Sequence, residues 1–142
     1  MFTFSTYFVE YALAYLVALL TYVIGLVLYC AITPHSELKL LKEGNPAASL
    51  ALSATMLALA LPIAAAAHNT HNPVEIAVWA SNAVLFQLVA YFGFTRLIPE
   101  VNKAIVEGKV MNTLPLVALQ LAVAVLNAAS GSVLIKIGRA HV

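Results

Sequence analysis

Two acidic residues close to long apolar stretches are the first candidates for chemistry in this chain. Glu10 and Glu75 each stand near the start of such a stretch. A pair of carboxylates at a water-facing vestibule can gather cations or relay protons, as acids in membrane segments often do. The structural alternative is an acid in the first turn of a helix, which the helix dipole favours by about 0.3–1 kcal/mol. We prefer the structural interpretation of both residues.

The amide of Gln87 lies in the middle of the apolar stretch that follows Glu75, and it needs a hydrogen-bond partner there. Its candidate partners are Gln120, Asn127, Asn82, Ser53 and Thr55. These groups can line a hydrated path, or they can hold helices together through hydrogen bonds that average only about 0.6 kcal/mol. A path usually needs a titratable group at mid-depth, and the last three apolar stretches have none, so we favour the second role.

Two Glu-Gly pairs, each preceded by a short amphipathic segment, mark a candidate docking site. Its residues are the two pairs and two nearby lysines: Lys39, Lys42, Glu43, Gly44, Glu107 and Gly108. Gly suits the end of a helix because it tolerates positive φ. If a cytoplasmic partner docks here, we expect an exposed set made of Glu37, Glu43, Glu100, Glu107, Leu38, Leu41, Val101 and Ile105. The alternative is that the two segments only anchor the chain at the membrane interface.

Catalysis and cofactor binding have little support in the sequence. The chain has no Asp for a Ser-His-Asp arrangement, one cysteine, and no phosphate-binding loop. His68 and His71 can supply two metal ligands, but a zinc site needs three or four. The net charge of +1 offers no basic surface for nucleic acid. We therefore predict a non-enzyme with no cofactor, no metal and no nucleic-acid partner.

The elements that carry these residues are membrane spans. The chain is 63% apolar and 9% charged, with a mean hydropathy of +0.95. Four stretches without Asp, Glu, Lys or Arg cover 11–36, 44–74, 76–95 and 110–135. About 20 residues of helix cross the hydrocarbon layer. The sequence predicts an all-α polytopic membrane protein with spans near 8–32, 47–67, 74–94 and 114–135. A short helix over about 34–43 should start with Thr33 as N-cap and Pro34 in the first turn.

The two halves of the chain are similar to each other. Displacing the sequence by 64 residues places Glu43-Gly44 on Glu107-Gly108 and aligns the alanine-rich stretches that follow. Each half, about 8–67 and 74–135, is predicted to contain a span, a short amphipathic helix, a Gly turn and an alanine-rich span. Two spans per half make the repeats parallel. Alanines four apart occur in spans two and four, which we expect at the centre of the bundle. The pairs are Ala47/Ala51, Ala54/Ala58, Ala60/Ala64, Ala118/Ala122 and Ala124/Ala128. The same faces can instead form a homodimer.

Basic residues in short loops set the orientation of a membrane protein. Lys39, Lys42, Arg96, Lys103 and Lys109 all fall between spans one and two or between spans three and four. These two connections are therefore predicted to be cytoplasmic, and both termini to be outside. The remaining Lys136 and Arg139 contradict this. They fall in a tail, 136–142, that we interpret as non-native, since Ile-Gly-Arg-Ala-His-Val can be encoded by the opening of a sequencing-library adapter. Residues 1–135 are expected to form a single four-span domain.

A longer motif connects the chain to a known family. Thr33-Pro34-His35-Ser36-Glu37, followed by Lys-Glu-Gly-Asn-Pro-Ala-Ala-Ser-Leu-Ala over 42–51, closely resembles the bacterial domain-of-unknown-function 350 family of YjfL-type inner-membrane proteins. Further matches are 60–64, Trp79, Gln87-Leu88, 105–108 and 126–129. The resemblance spans about 8–132 and implies a four-span inner-membrane protein, with envelope-stress proteins of the PspA type as neighbours. It brings no catalytic residues.

Together these observations predict a non-enzymatic scaffold or partner subunit of the bacterial inner membrane that serves envelope maintenance or stress response. Its partners are the lipid bilayer, a cytoplasmic envelope-stress protein and further copies of itself. The alternative is a small oligomeric ion or proton channel that uses Glu10, Glu75, Gln87 and Asn127. Charge swaps at the Glu-Gly elbows affect a scaffold, whereas Glu75→Gln and Gln87→Leu affect a channel.

Overall fold

The computed structural model describes residues 4–34, 36–70 and 72–140, and these residues form helices without a strand. The helices are α1 Phe4–Ile32, α2 Glu37–Lys42, α3 Pro46–Asn69, α4 Pro73–Leu97, α5 Glu100–Val106 and α6 Val110–Ala140. The long helices α1, α3, α4 and α6 each contain a segment that is long and apolar enough to cross a membrane. The predicted four-span, all-α fold is confirmed. The parallel repeat stays a prediction, although both halves have the order long, short, long.

The helix boundaries follow from local capping. Asn45 and Asn72 are the N-caps of α3 and α4, and each is followed by a proline at the start of the helix, where no N–H is needed. The prediction of Thr33 as the cap of α2 is wrong. The Thr33 hydroxyl donates to Cys30 O at 2.9 Å and closes α1, so Ser36 caps α2 instead.

The two elbow glycines have the left-handed backbone that the sequence predicts. φ is +76° at Gly44 and +75° at Gly108, and the chain reverses at both. A side chain with Cβ is strained in this conformation, which is why glycine ends both short helices. The elbows connect α2 to α3 and α5 to α6 at the same end of the bundle.

Helix α3 is the centre of the bundle and has its most extensive interface with α6. The expectation of a central alanine face is confirmed for one group of buried alanines: Ala47, Ala51, Ala54, Ala58 and Ala124. It is wrong for another group, which is exposed: Ala64, Ala118 and Ala122. Helix α4, which was expected outside, has a larger buried share than α6, and α1 is the least buried of the four.

The apolar core lies at the elbow end of the bundle. It includes Tyr29 and Tyr91 from the spans and Leu40, Val101 and Ile105 from the short helices. The short helices therefore fold back under the bundle instead of lying free on its surface. The expected exposure of Val101 and Ile105 is wrong, because they are 2% and 0% exposed.

Candidate functional site: a buried polar cluster and the elbow surface

Two tyrosines meet inside the elbow end of the bundle. The rings of Tyr29 in α1 and Tyr91 in α4 pack edge to face, with centroids 5.2 Å apart and an interplanar angle of 73°. Both residues are buried. The Tyr91 hydroxyl donates to Asn102 Oδ1 of α5 at 2.9 Å. This hydrogen bond connects a membrane span to the short helix beneath it.

A second hydrogen-bonded pair lies next to the tyrosines. Gln120 Nε2 of α6 donates to Thr55 Oγ1 of α3 at 3.0 Å, and the Thr55 hydroxyl donates to Ala51 O at 3.0 Å. The Tyr29 hydroxyl faces this pair, but it makes no hydrogen bond of regular geometry to either residue within the described part of the chain. Gln120, expected as a partner of Gln87, thus bonds to Thr55, across the largest helix interface.

The carboxylate of Glu37 is also buried at this end of the bundle. Glu37 lies in the first turn of α2, is 2% exposed, and lies near Tyr29 and Tyr91. Its predicted exposure as a docking residue is wrong. Glu37 and Leu40 are three residues apart, so they share the face of α2 that packs against the spans. Leu38 and Leu41, by contrast, are 63% and 40% exposed.

The buried polar cluster is now defined as Tyr29, Glu37, Thr55, Tyr91, Asn102 and Gln120, one residue from each helix. The sequence indicated only Thr55 and Gln120. Tyr29 and Tyr91 were missed because a tyrosine in an apolar stretch looks like part of the apolar pattern, and the i, i+3 spacing of Glu37 and Leu40 was the available signal for Glu37. The two hydrogen bonds between helices in this cluster, Tyr91 to Asn102 and Gln120 to Thr55, fix the rotation and pairing of the helices that they join.

The described residues offer no metal centre. Among them, no three His, Cys, Asp or Glu side chains come together in a way that can hold an ion. His68 lies in the last turn of α3, and His71 lies outside the described residues. Cys30 is half-buried near the end of α1. A role for these residues in metal binding or redox chemistry gains no support from their placement.

Gln87 and Asn127 retain buried amide atoms without partners. Gln87 is 3% exposed, and neither its Nε2 nor its Oε1 is hydrogen-bonded to any described residue. Asn127 Nδ2 is also buried without a hydrogen-bond partner among the described residues. Asn127 also borders two hollows. The first, between α3, α4 and α6, has a volume of about 10 Å³ and holds about one water molecule at most. The second is an open hollow of about 380 Å³ between α4 and α6, which Asn82 also lines.

Glu10 and Glu75, expected at corresponding positions, have different surroundings. Glu75 lies in the first turn of α4 and accepts a hydrogen bond from the buried Thr70 hydroxyl. This is the structural arrangement preferred from the sequence. Glu10 lies beyond the first turn of the described part of α1, which starts at Phe4, and beside the tyrosines of a groove against α3. The described part of the chain contains no hydrogen bond or ion pair to Glu10.

The predicted docking residues lie together on one surface, which we name the elbow surface and define as residues 36–46 and 96–110. Lys39, Lys42 and Glu43 are exposed on it. Glu107 is also exposed, and its Oε2 forms an ion pair with Lys109 Nζ at 3.1 Å. Ion pairs of this exposure stabilise little, about 0–1 kcal/mol.

Asn45 connects the two elbows. Its side-chain oxygen accepts from Ala48 N at 2.9 Å and caps α3, while its Nδ2 donates to Ile105 O at 2.9 Å and to Val106 O at 3.0 Å. The last carbonyls of α5 thereby gain partners that a helix end otherwise lacks. Gly108 lies beside Pro46 and Asn45. The two elbows form one continuous surface instead of two separate turns.

The fold and these sites define an integral membrane protein built from four apolar helices and two short elbow helices. Comparison with known proteins gives the same class. Residues 3–130 match the family described as Domain of Unknown Function (DUF350), so the chain belongs to that family.

The chain is also similar to curated bacterial proteins. It is 36% identical over 84 residues to the UPF0719 inner membrane protein YjfL of Escherichia coli (strain K12), which covers 59% of this chain and 64% of the relative. The protein of the same name from Escherichia coli O157:H7 matches to the same extent. The aligned part thus covers slightly less than two thirds of these relatives. No solved structure matches the chain significantly.

Proposed function

We propose that this protein is a non-enzymatic scaffold of the bacterial inner membrane whose elbow surface binds a cytoplasmic protein of envelope maintenance or stress response. The similarity to inner membrane proteins supports the location. The five basic residues at one end of the bundle support an orientation with that end in the cytoplasm and both termini outside.

The charge of the elbow surface is the observation that carries the proposal. Its exposed basic side chains are Lys39, Lys42, Arg96, Lys103 and Lys109, and its exposed acidic ones are Glu43, Glu100 and Glu107. Because Glu37 is withdrawn into the buried polar cluster, the exposed charge is net positive. Exposed Leu38 and Leu41 lie between these charges. Such a surface complements an acidic partner segment with apolar anchors.

The hydrogen bonds of Asn45 support a binding role because they hold the two elbows in a fixed relation. A surface ordered before its partner arrives loses less conformational entropy on binding. The buried polar cluster supports the same role from inside the bundle, since Glu37 of α2 is buried in it and Asn102 of α5 accepts a hydrogen bond from Tyr91 of α4.

A co-flotation assay tests this function. The protein is reconstituted in liposomes of neutral lipid and mixed with the purified PspA-type envelope-stress protein of the same bacterium, and the vesicles are floated. We expect the soluble protein to float with the loaded vesicles and to be lost when Lys39 and Lys42 are both changed to Glu. Glu75→Gln, at the other end of the bundle, is the matched control. Binding that survives the double charge reversal contradicts the proposal.

The second candidate function is an oligomeric ion or proton channel. The observation that favours it is the buried amide of Gln87, which has no hydrogen-bond partner among the described residues. The space beside Asn127 consists of a pocket of about 10 Å³ inside the bundle and an open hollow of about 380 Å³ between α4 and α6. Proton and monovalent-cation flux into the same liposomes separates the two functions. Flux that Glu75→Gln and Gln87→Leu abolish supports the channel and rejects the scaffold. The absence of flux above empty liposomes, with correct insertion, supports the scaffold.

A further inference from the structure

A groove runs along α1 and α3 at the end of the bundle opposite the elbow surface. It consists of two hollows of about 410 Å³ and 270 Å³ that share Tyr15, Ala18 and Ala67 as lining residues. The first hollow lies towards the start of α1 and the second towards its middle. We name this feature the α1–α3 groove. It takes no part in the elbow surface or the buried polar cluster.

The first hollow combines a carboxylate with aromatic rings. Glu10 lines it together with Tyr7, Tyr11 and Tyr15. The rings of Tyr11 and Tyr15 are stacked, with centroids 6.4 Å apart and an interplanar angle of 13°. A carboxylate and electron-rich rings that line one hollow are groups that can recognise an ammonium group. Glu75, the corresponding acid of the other half, is instead bonded to Thr70.

The second hollow is apolar. Its floor on α3 consists mainly of alanines, whose short side chains leave an open trench beside α1: Ala60, Ala64 and Ala67. Leu19 and Tyr22 form its wall. The Tyr22 hydroxyl donates to Met56 O at 2.9 Å, so the polar end of that residue is already satisfied by α3. This surface suits a hydrocarbon chain.

The depth of the two hollows matches the layers of a bilayer. Glu10 lies 22 residues before Ile32, the last residue of α1, and at 1.5 Å per residue this distance is about 33 Å. The hydrocarbon layer is about 30 Å thick. With the elbow end of α1 at one membrane surface, Glu10 lies at headgroup level of the other, and the trench extends from there into the acyl layer.

We propose that the α1–α3 groove binds a phospholipid with a primary ammonium in its headgroup, phosphatidylethanolamine. The ammonium lies between Glu10 and Tyr11, and one acyl chain lies in the alanine-floored trench. A lipid fits better than a second copy of the chain, because an apolar helix seated here buries the Glu10 carboxylate without a counter-charge, which is costly. The proposal does not rest on the scaffold function.

Lipid competition measured by native mass spectrometry tests the proposal. The detergent-purified protein is delipidated and incubated with equimolar phosphatidylethanolamine and phosphatidylglycerol that carry identical acyl chains. We expect preferential retention of phosphatidylethanolamine. Glu10→Gln removes one charge-assisted hydrogen bond and should lower this affinity about tenfold. Ala18→Leu fills the junction of the two hollows and should also reduce retention.

Two matched controls keep the result specific. Glu75→Gln removes the corresponding acid of the other half, and Ala31→Leu makes the same substitution at an exposed position of α1 outside the groove. Neither should change lipid retention. Equal retention of the two lipids, or equal effects of Glu10→Gln and Glu75→Gln, overturns the proposal and leaves the tyrosines as an interfacial belt. An effect of Glu10→Gln without one of Ala18→Leu overturns the placement of the acyl chain.

Discussion

The connection between the two elbows depends on one side chain, and its removal should have a measurable cost. Asn45→Ala deletes the cap hydrogen bond to Ala48 N and both hydrogen bonds to the last carbonyls of α5. Asn72→Ala is the matched comparison. This variant deletes the corresponding cap of α4, a 2.9 Å hydrogen bond from Val74 N. Within the described residues, the Asn72 side chain makes no hydrogen bond to another helix.

The expected magnitudes follow from these contacts. Loss of an Asn cap costs about 1 kcal/mol in either variant. The two additional hydrogen bonds of Asn45 contribute about 0.5–1 kcal/mol each, at the lower end of the usual range, because this region is partly exposed. We expect Asn45→Ala to lower the free energy of unfolding by about 2–3 kcal/mol, which is about 1–2 kcal/mol more than Asn72→Ala.

Reversible unfolding in mixed micelles, with the SDS fraction as the denaturing variable, measures both values. Asn45→Asp gives an independent comparison, because Asp keeps the cap but cannot donate to the carbonyls of Ile105 and Val106. It should therefore retain only the cap contribution. Equal losses for Asn45→Ala and Asn72→Ala, or wild-type stability for Asn45→Asp, would refute the idea that Asn45 holds the elbows together.

Three further substitutions test the packing, all by the same unfolding measurement. Gly25→Ala should lower the free energy of unfolding by about 1 kcal/mol, because the new Cβ meets Val84 Cγ2 at 2.8 Å. Adding Val84→Ala to this variant should restore stability. Gly93→Ala is the control, because open space surrounds that glycine and a new Cβ there meets no neighbouring atom. Gln87→Leu should raise stability by about 1 kcal/mol because it removes an unpartnered buried amide; a loss instead reveals a bound water or partner. Gly108→Ala should cost about 1 kcal/mol, since φ is +75° there, and an unchanged stability contradicts strain at the elbow.

The sequence by itself determines those features of the structure that depend only on residues close together in the chain. Span number and approximate span position follow from length and hydropathy alone, since only a helix of about 20 apolar residues satisfies its backbone in lipid. The positive φ of Gly44 and Gly108 is equally local. The start of α2 was misplaced because Thr33 and Ser36 are both good caps, and the hydroxyl of Thr33 bonds backwards to Cys30.

The features that give the protein its candidate sites were decided by tertiary structure. A membrane helix is apolar on every side, so its pattern does not reveal which face meets a neighbour. For this reason Ala118 could not be distinguished from Ala124, and the interior positions of Tyr29 and Tyr91 were missed. Glu37 was predicted to be exposed because its burial depends on how α2 folds under the spans. The α1–α3 groove likewise exists only because α1 meets α3 along a row of alanines, a contact between distant segments that no local pattern specifies.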